Sequence, residues 1–169
     1  MKRAITCIVL IMSLLTVSLA GCGKNRETDI LRQEAQAINE SSTLPMALLT
    51  SNEKANPAAF EETIANYTSF DYYGKDYVLC FCGFPTDEDS YFLTEITWTG
   101  EQYDLFGVRV GDDPAKAMET IQAQGYTLID GGYMADFEKN GVTLRLTGDT
   151  MVKEIMIHIP TQFTSGNLY

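Results

Sequence analysis

Val110-Gly-Asp-Asp-Pro-Ala-Lys-Ala-Met-Glu-Thr-Ile-Gln-Ala-Gln-Gly125 reads as a short helix with both ends marked. Asp113 is a good N-cap, and Pro114 suits the first helical position because the N–H it lacks would have had no partner there. Gly125 can take the left-handed conformation that ends a helix. Pro114, Ala117, Met118 and Ile121 fall at i, i+3, i+4 and i+7, so one stripe is apolar and must be buried. An earlier stretch, Asn56-Pro-Ala-Ala-Phe-Glu-Glu-Thr-Ile-Ala65, matches it without a gap. Pro57, Ala58, Glu62, Thr63 and Ile64 align with Pro114, Ala115, Glu119, Thr120 and Ile121. The spacing predicts a second helix there, with Phe60 and Ile64 as its buried stripe, and a chain made of two copies of one unit.

The sequence on either side of these stretches reads as strands. Residues 126–130 form a short strand, Gly131-Gly132 a tight turn, and residues 133–138 an alternating strand. Asn140-Gly141 is a strong hairpin signal because both residues tolerate positive φ. Val142, Leu144 and Leu146 alternate with Thr143, Arg145 and Thr147, and Ile155, Ile157 and Ile159 alternate with Glu154, Met156 and His158. One sheet face is therefore apolar and the other wet. Upstream, residues 68–73, 76–82, 91–98 and 103–110 read as strands, and the stretch 84–90, with Pro85 and clustered acids, as a loop. A one-sided sheet needs a cover, and the helix stripes can supply it. The expected class is α+β: an antiparallel meander with short helices packed on one face, in two tandem helix-plus-meander units at residues 45–110 and 111–160. Residues 161–169 lack periodicity and read as a flexible tail.

The N-terminus carries an address. Lys2 and Arg3 precede an apolar run from Ile8 to Leu15, and Leu19-Ala20-Gly21-Cys22 stands where a cleavage site belongs. This tetrapeptide resembles the lipobox of bacterial lipoproteins, which implies that residues 1–21 are a signal peptide and that Cys22 carries lipid. The apolar run, broken by Ser13, Thr16 and Ser18, is short for a membrane span. Lipid would hold the protein at the extracytoplasmic face of the cell membrane without crossing it. Residues 22–44 are polar, with one weakly amphipathic run, and read as a tether.

Charge limits the partners. The chain has 12 Lys and Arg against 23 Asp and Glu; losing Lys2 and Arg3 takes the net charge from −11 to 10 − 23 = −13. So acidic a domain repels nucleic acid and anionic headgroups.

Cys80 and Cys82 are the cysteines left after Cys7 and Cys22. At i and i+2 of a strand their Cβ atoms are too far apart for an unstrained disulfide. Two thiolates are too few for a zinc site. They read as small buried apolar residues. His158 reads as a partly exposed strand residue, and no nucleophile elbow or phosphate-cradling glycine loop is present. Asp87-Glu88-Asp89 lacks the interleaved spacing of a calcium loop and reads as a solvated loop. No catalytic residue, metal or cofactor is expected.

From residue 45 to about 160, the strand ending in Gly107-Val-Arg-Val-Gly111, the helix, Gly125 and the Tyr-bearing hairpin resemble a module of small envelope lipoproteins. It is similar to the fold of the SmpA/OmlA lipoproteins and the β-lactamase inhibitor protein, where helices cover one face of an antiparallel sheet. The resemblance implies protein binding across the open face and matches scaffold positions only. Aromatic rings cluster between Tyr67 and Phe106, mixed with acids, and a small sheet buries one face well. Tyr72, Tyr73, Tyr77, Tyr91, Trp98 and Tyr103 are therefore the candidate interface, suited to an envelope or secreted protein. The same rings would stack on wall sugars, so a carbohydrate or small-ligand receptor is the alternative, as is a purely structural accessory of an envelope complex.

Overall fold

The computed structural model describes residues 23–66, 69–83 and 91–160. Cys22, the acidic loop 84–90 and the tail 161–169 lie outside the described residues. Helix α1 (Gly23–Ser41) comes first, then two single 3-10 turns at Asn52–Lys54 and Pro57–Ala59. Strands β1 (Glu62–Ala65), β2 (Ser69–Tyr73), β3 (Tyr77–Cys82) and β4 (Phe92–Trp98) follow. Helix α2 (Pro114–Ala123) leads into β5 (Thr127–Asp130), β6 (Met134–Lys139), β7 (Val142–Thr147) and β8 (Glu154–His158). All eight strands form one sheet in the order β1-β2-β3-β4-β8-β7-β6-β5, and every neighbour is antiparallel. The chain is thus α+β and mainly sheet, and its two meanders join edge to edge through β4 and β8.

Helix α2 is as the sequence predicts. Asp113 Oδ1 accepts from the Lys116 N–H at 3.0 Å, Pro114 opens the first turn, and Gly125 has φ +86°. Ala117 and Ile121 are buried. Asn140 and Gly141 have φ of 53° and 83°, which joins β6 to β7 with both residues left-handed, in the hand that matches strand twist.

The predicted helix at 56–65 is overturned. Asn56 does cap, accepting from the Ala58 N–H at 3.2 Å, but the helix stops after Pro57–Ala59 and the chain extends into β1. Thr63 and Ile64 are consecutive β-branched residues, which favour a strand, and β2 offers an unpaired edge. Ile64 is exposed. The first half of the sheet is covered instead by Leu48, Ala55 and Phe60 from the irregular segment 44–60. The strand expected at 103–110 is also absent. Phe106 (φ 54°) and Gly107 (φ 85°) fold the chain back, and Leu105 and Val108 exchange N–H···O bonds of 2.9 Å.

The stretch expected to be a tether is helix α1, docked on the core. Leu31, Ala35 and Ile38 are buried, at i, i+4 and i+7. One turn is sealed by charge. Buried Glu34 accepts from the Tyr126 hydroxyl (2.8 Å) and the Asn140 amide (2.9 Å), and pairs with Lys139 Nζ (3.1 Å). Burial, and then Glu34, push the Tyr126 hydroxyl well above the ordinary tyrosine value of 10.0. The native state therefore keeps this proton at pH values where the unfolded chain has lost it. That stabilisation is complete below pH 10 and is lost as pH rises further. Tyr126→Phe is expected to cost about 1 kcal/mol at neutral pH. Above pH 10 the gap to wild type should shrink by about 1.4 kcal/mol per pH unit. Urea unfolding of both proteins at pH 8, 10 and 11 checks this; a constant gap would refute it.

Candidate functional site

The helices and the sheet's apolar side form one core. Leu31, Ala35, Ile38, Ala117 and Ile121 pack with Leu79, Phe81, Trp98, Phe137, Leu144, Ile155 and Ile157. The alternate residues of the same strands face the other way and are at least partly exposed.

Half of the candidate aromatic interface, Tyr72, Tyr91 and Trp98, is buried, and Tyr73, Tyr77 and Tyr103 are partly exposed. Tyr103, Tyr77, Phe60, Tyr72 and Phe81 form a chain of edge-on and tilted rings with centroids 4.8–6.3 Å apart, and Tyr91 meets Phe70 edge-on at 4.7 Å. These contacts, and for Trp98 its burial, place five of the six predicted rings on the covered side. Tyr73, which pairs with Glu62 and Val78, is on the open one. The rings turn inward because the cover over this half of the sheet is an irregular segment and not a helix, and large rings fill the space a helix stripe would have filled.

What the open face carries instead is a polar rank running straight across the strands. Ile64, Asp71, Cys80, Glu95, His158, Thr143, Glu138 and Thr127 are successive register partners from β1 to β5. Its centre is ionic: His158 Nδ1 is 3.0 Å from Glu95 Oε2, and both side chains are 37% exposed. One row away, Arg145 forks onto Asp136 at 2.6 and 2.8 Å. That bond holds the Asp136 carboxyl below its usual range and the Arg145 guanidinium above its own. His158 is a partly exposed strand residue, as its alternation predicts.

Cys80 and Cys82 depart from their reading as inert apolar residues. Both are half-buried on this open face, with Sγ atoms 3.3 Å apart. A bulge lies beside them: Cys80 pairs with Glu95 but Phe81 with Leu93, so Thr94 is the extra residue on β4. The two thiols are unequal. The hydrogen bond to Cys82 raises Cys80, and burial and Asp71 push it the same way. Cys82 is lowered, first by that same bond and then by the Thr94 hydroxyl, against burial and the nearby carboxylates. The two sulfurs share one hydrogen bond, and Cys80, flanked in register by the carboxylates of Asp71 and Glu95, is the thiol that resists ionisation more.

A cleft of about 360 Å³ at the start of α2 is lined by Gly107, Gly111, Asp112, Asp113, Lys116 and Thr120. Its acids are already used: Asp112 accepts from the Arg109 N–H at 2.8 Å and Asp113 is the cap. Among the described residues, no three His, Cys, Asp or Glu side chains converge as a metal site. Nor is any helix among them long and apolar enough to cross a membrane.

Comparison with known proteins adds little. No family model matches the chain, and no curated protein matches it. A crystal structure of an extracellular protein containing a SCP domain from Bacillus anthracis is similar with a TM-score of 0.49 and 10% identity, over 72% of this chain and 47% of that one. This chain spans about half the length of that neighbour, and at this score the likeness carries no chemistry.

The rank escaped sequence reading because its members come one from each of the eight strands, up to 158 − 64 = 94 positions apart. Alternation assigns Thr143 and His158 to a wet face, whereas Cys80 reads as a buried residue and Ile64 as part of a helix stripe. Only the strand order and the bulge bring them into line.

Proposed function

We propose that this chain is a lipid-anchored, extracytoplasmic protein-binding module of the bacterial envelope that works through its open sheet face. The observation behind this reading is the one-sidedness of the sheet: both helices contribute to a single core, and the opposite face presents a continuous polar rank. The rings no longer support it. Turning five of them inward also removes the platforms on which a sugar would stack, which favours a protein partner over the carbohydrate alternative. The lipid anchor rests on the lipobox. Helix α1 starts at Gly23 and has a buried residue as early as Thr28, so an anchor on Cys22 would hold the domain close to the membrane, with roughly 8 Å of helix between them.

The tandem plan belongs to this reading as its origin. Cap residues Asn56 and Asp113 differ by 57, as do the first residues of β3 and β6 (134 − 77) and their last (139 − 82).

Cys22→Ala is expected to move the protein from the membrane to the soluble fraction; continued sedimentation with membranes would sink the anchor. The binding face is tested with a photo-crosslinking side chain at Thr143 on the open face and at Gln122 on the exposed side of α2. Adducts with an envelope protein from Thr143 alone support the reading. Equal adducts from both positions, or retention by purified wall polymer alone, overturn it.

A further inference from the structure

The dithiol on β3 is not used by a binding role, and its arrangement is that of a reactive pair. We propose that Cys80 and Cys82 exchange with disulfides on neutral or basic partners, with Cys82 attacking and Cys80 resolving. Three observations carry this. The Sγ atoms are within 3.3 Å, closer than two unrelated strand thiols need be. Both are half-exposed on the face left open by the helices, so a partner can reach them. The surroundings divide the labour: in register Cys80 lies between the carboxylates of Asp71 and Glu95, which disfavour a thiolate there, whereas Cys82 lies between Ser69 and Phe92. The inequality of the two thiols agrees with this division.

The exchange balances. The Cys82 thiolate attacks one sulfur of the partner disulfide, forms a mixed disulfide and expels the other sulfur as a thiolate. Cys80 then gives its proton to Asp71 or water and attacks the Cys82 sulfur, releasing the partner's second thiol. The pair is oxidised by two electrons to an internal disulfide and the partner disulfide is reduced to two thiols. Closing the ring draws two Cβ atoms at i and i+2 together, against their strand spacing. Local room for this is provided by the bulge at Thr94 and by the end of β3 at Cys82. A bond closed under such strain is readily reopened, which suits exchange rather than a permanent structural link.

Charge selects the partner. Asp71 and Glu95 flank Cys80 in the rank, and Glu154 and Glu138 extend the acidic field. His158 and Arg145 each have an acidic partner already. Cationic disulfides are attracted by this field and anionic ones repelled, and the difference fades with salt.

The test uses the mature protein purified in detergent, incubated with cystamine (cationic), hydroxyethyl disulfide (neutral) or glutathione disulfide (anionic), and followed by peptide mass mapping of Cys80 and Cys82. Wild type should pass through an adduct on Cys82 to an internal disulfide, fastest with cystamine and slowest with glutathione disulfide. Cys80→Ser should stall as the Cys82 adduct, and Cys82→Ser should react more than about tenfold more slowly, because the remaining thiol stays between the carboxylates of Asp71 and Glu95, which disfavour its thiolate. The order of labelling within wild type gives the same information should either variant fail to fold. Folded wild-type thiols that do not react would overturn the proposal. So would reaction that stops at an adduct, equal rates at both cysteines, or equal rates for the three probes at low salt.

Discussion

A chain that starts at residue 45 is expected to lose its cooperative unfolding transition. Such a boundary is what a polar tether at 22–44 would invite, yet it removes helix α1 and with it Leu31, Ala35 and Ile38, each 1% exposed or less. Full burial of a Leu or Ile is worth about 1.5–3 kcal/mol, and the core beneath the helix would be uncovered as well. The loss extends to polar ties. Asn39 brackets the Leu48 backbone at 2.8 and 3.3 Å, and Ser42 accepts from the Phe106 N–H at 3.1 Å. Thr43 and Asp104 exchange bonds of 3.0 and 3.1 Å, and Tyr126 and Asn140 lose Glu34. Together these rival the roughly 5–15 kcal/mol by which a domain is stable at all. Leu31→Ala is the milder form, expected to cost about 2–5 kcal/mol. A melt by circular dichroism decides it: a truncated chain that unfolds sharply within a few degrees of the full one would mean that α1 is dispensable.

The contrast between α1 and α2 shows what was legible. Helix α2 announces itself by Asp113, Pro114 and Gly125, because caps are local chemistry. Helix α1 has the same narrow stripe, but Ala35 counts for little on a hydropathy reading and Glu34 looks like a solvent-facing acid. Its burial depends on Tyr126, Lys139 and Asn140, about a hundred residues away. The second meander was readable from alternation and Asn140-Gly141. In the first, the Asn56-Pro57 cap promised a helix that edge pairing with β2 outcompeted. The aromatic block was placed on the wrong side for a related reason: the covering element over that half was expected to be a helix and is a loop. For the candidate site, wetness of the face could be read by alternation on β7 and β8 but not at Cys80, which reads as buried, and the alignment of Asp71, Cys80, Glu95 and His158 needs the order in which strands pair.

Trp98 offers the clearest separation between a binding residue and a core residue. It sits on β4, the strand that joins the two meanders, opposite Tyr77 on one side and Ile155 on the other, and it is fully buried. Trp98→Ala would leave a large cavity at this joint, with an expected cost of about 3–5 kcal/mol. For a chain of this size that lowers the melting midpoint by roughly 6–20 °C. Trp98→Phe should behave differently. The Trp98 Nε1–H is buried without a hydrogen-bond partner among the described residues, a situation that costs the native state about 1–3 kcal/mol. Phe removes that unpaired donor together with part of the ring volume, so the two effects oppose and the variant should melt much closer to wild type than Trp98→Ala does. Far-UV circular dichroism is the right probe, since the chain has a single tryptophan and its fluorescence disappears in both variants. If the ring instead served a partner at the surface, Trp98→Ala would bind less and melt unchanged. Equal midpoints for the three proteins would therefore return Trp98 to the interface, whereas the expected order, with Ala far below Phe, fixes it as the piece that holds β3, β4 and β8 against one another.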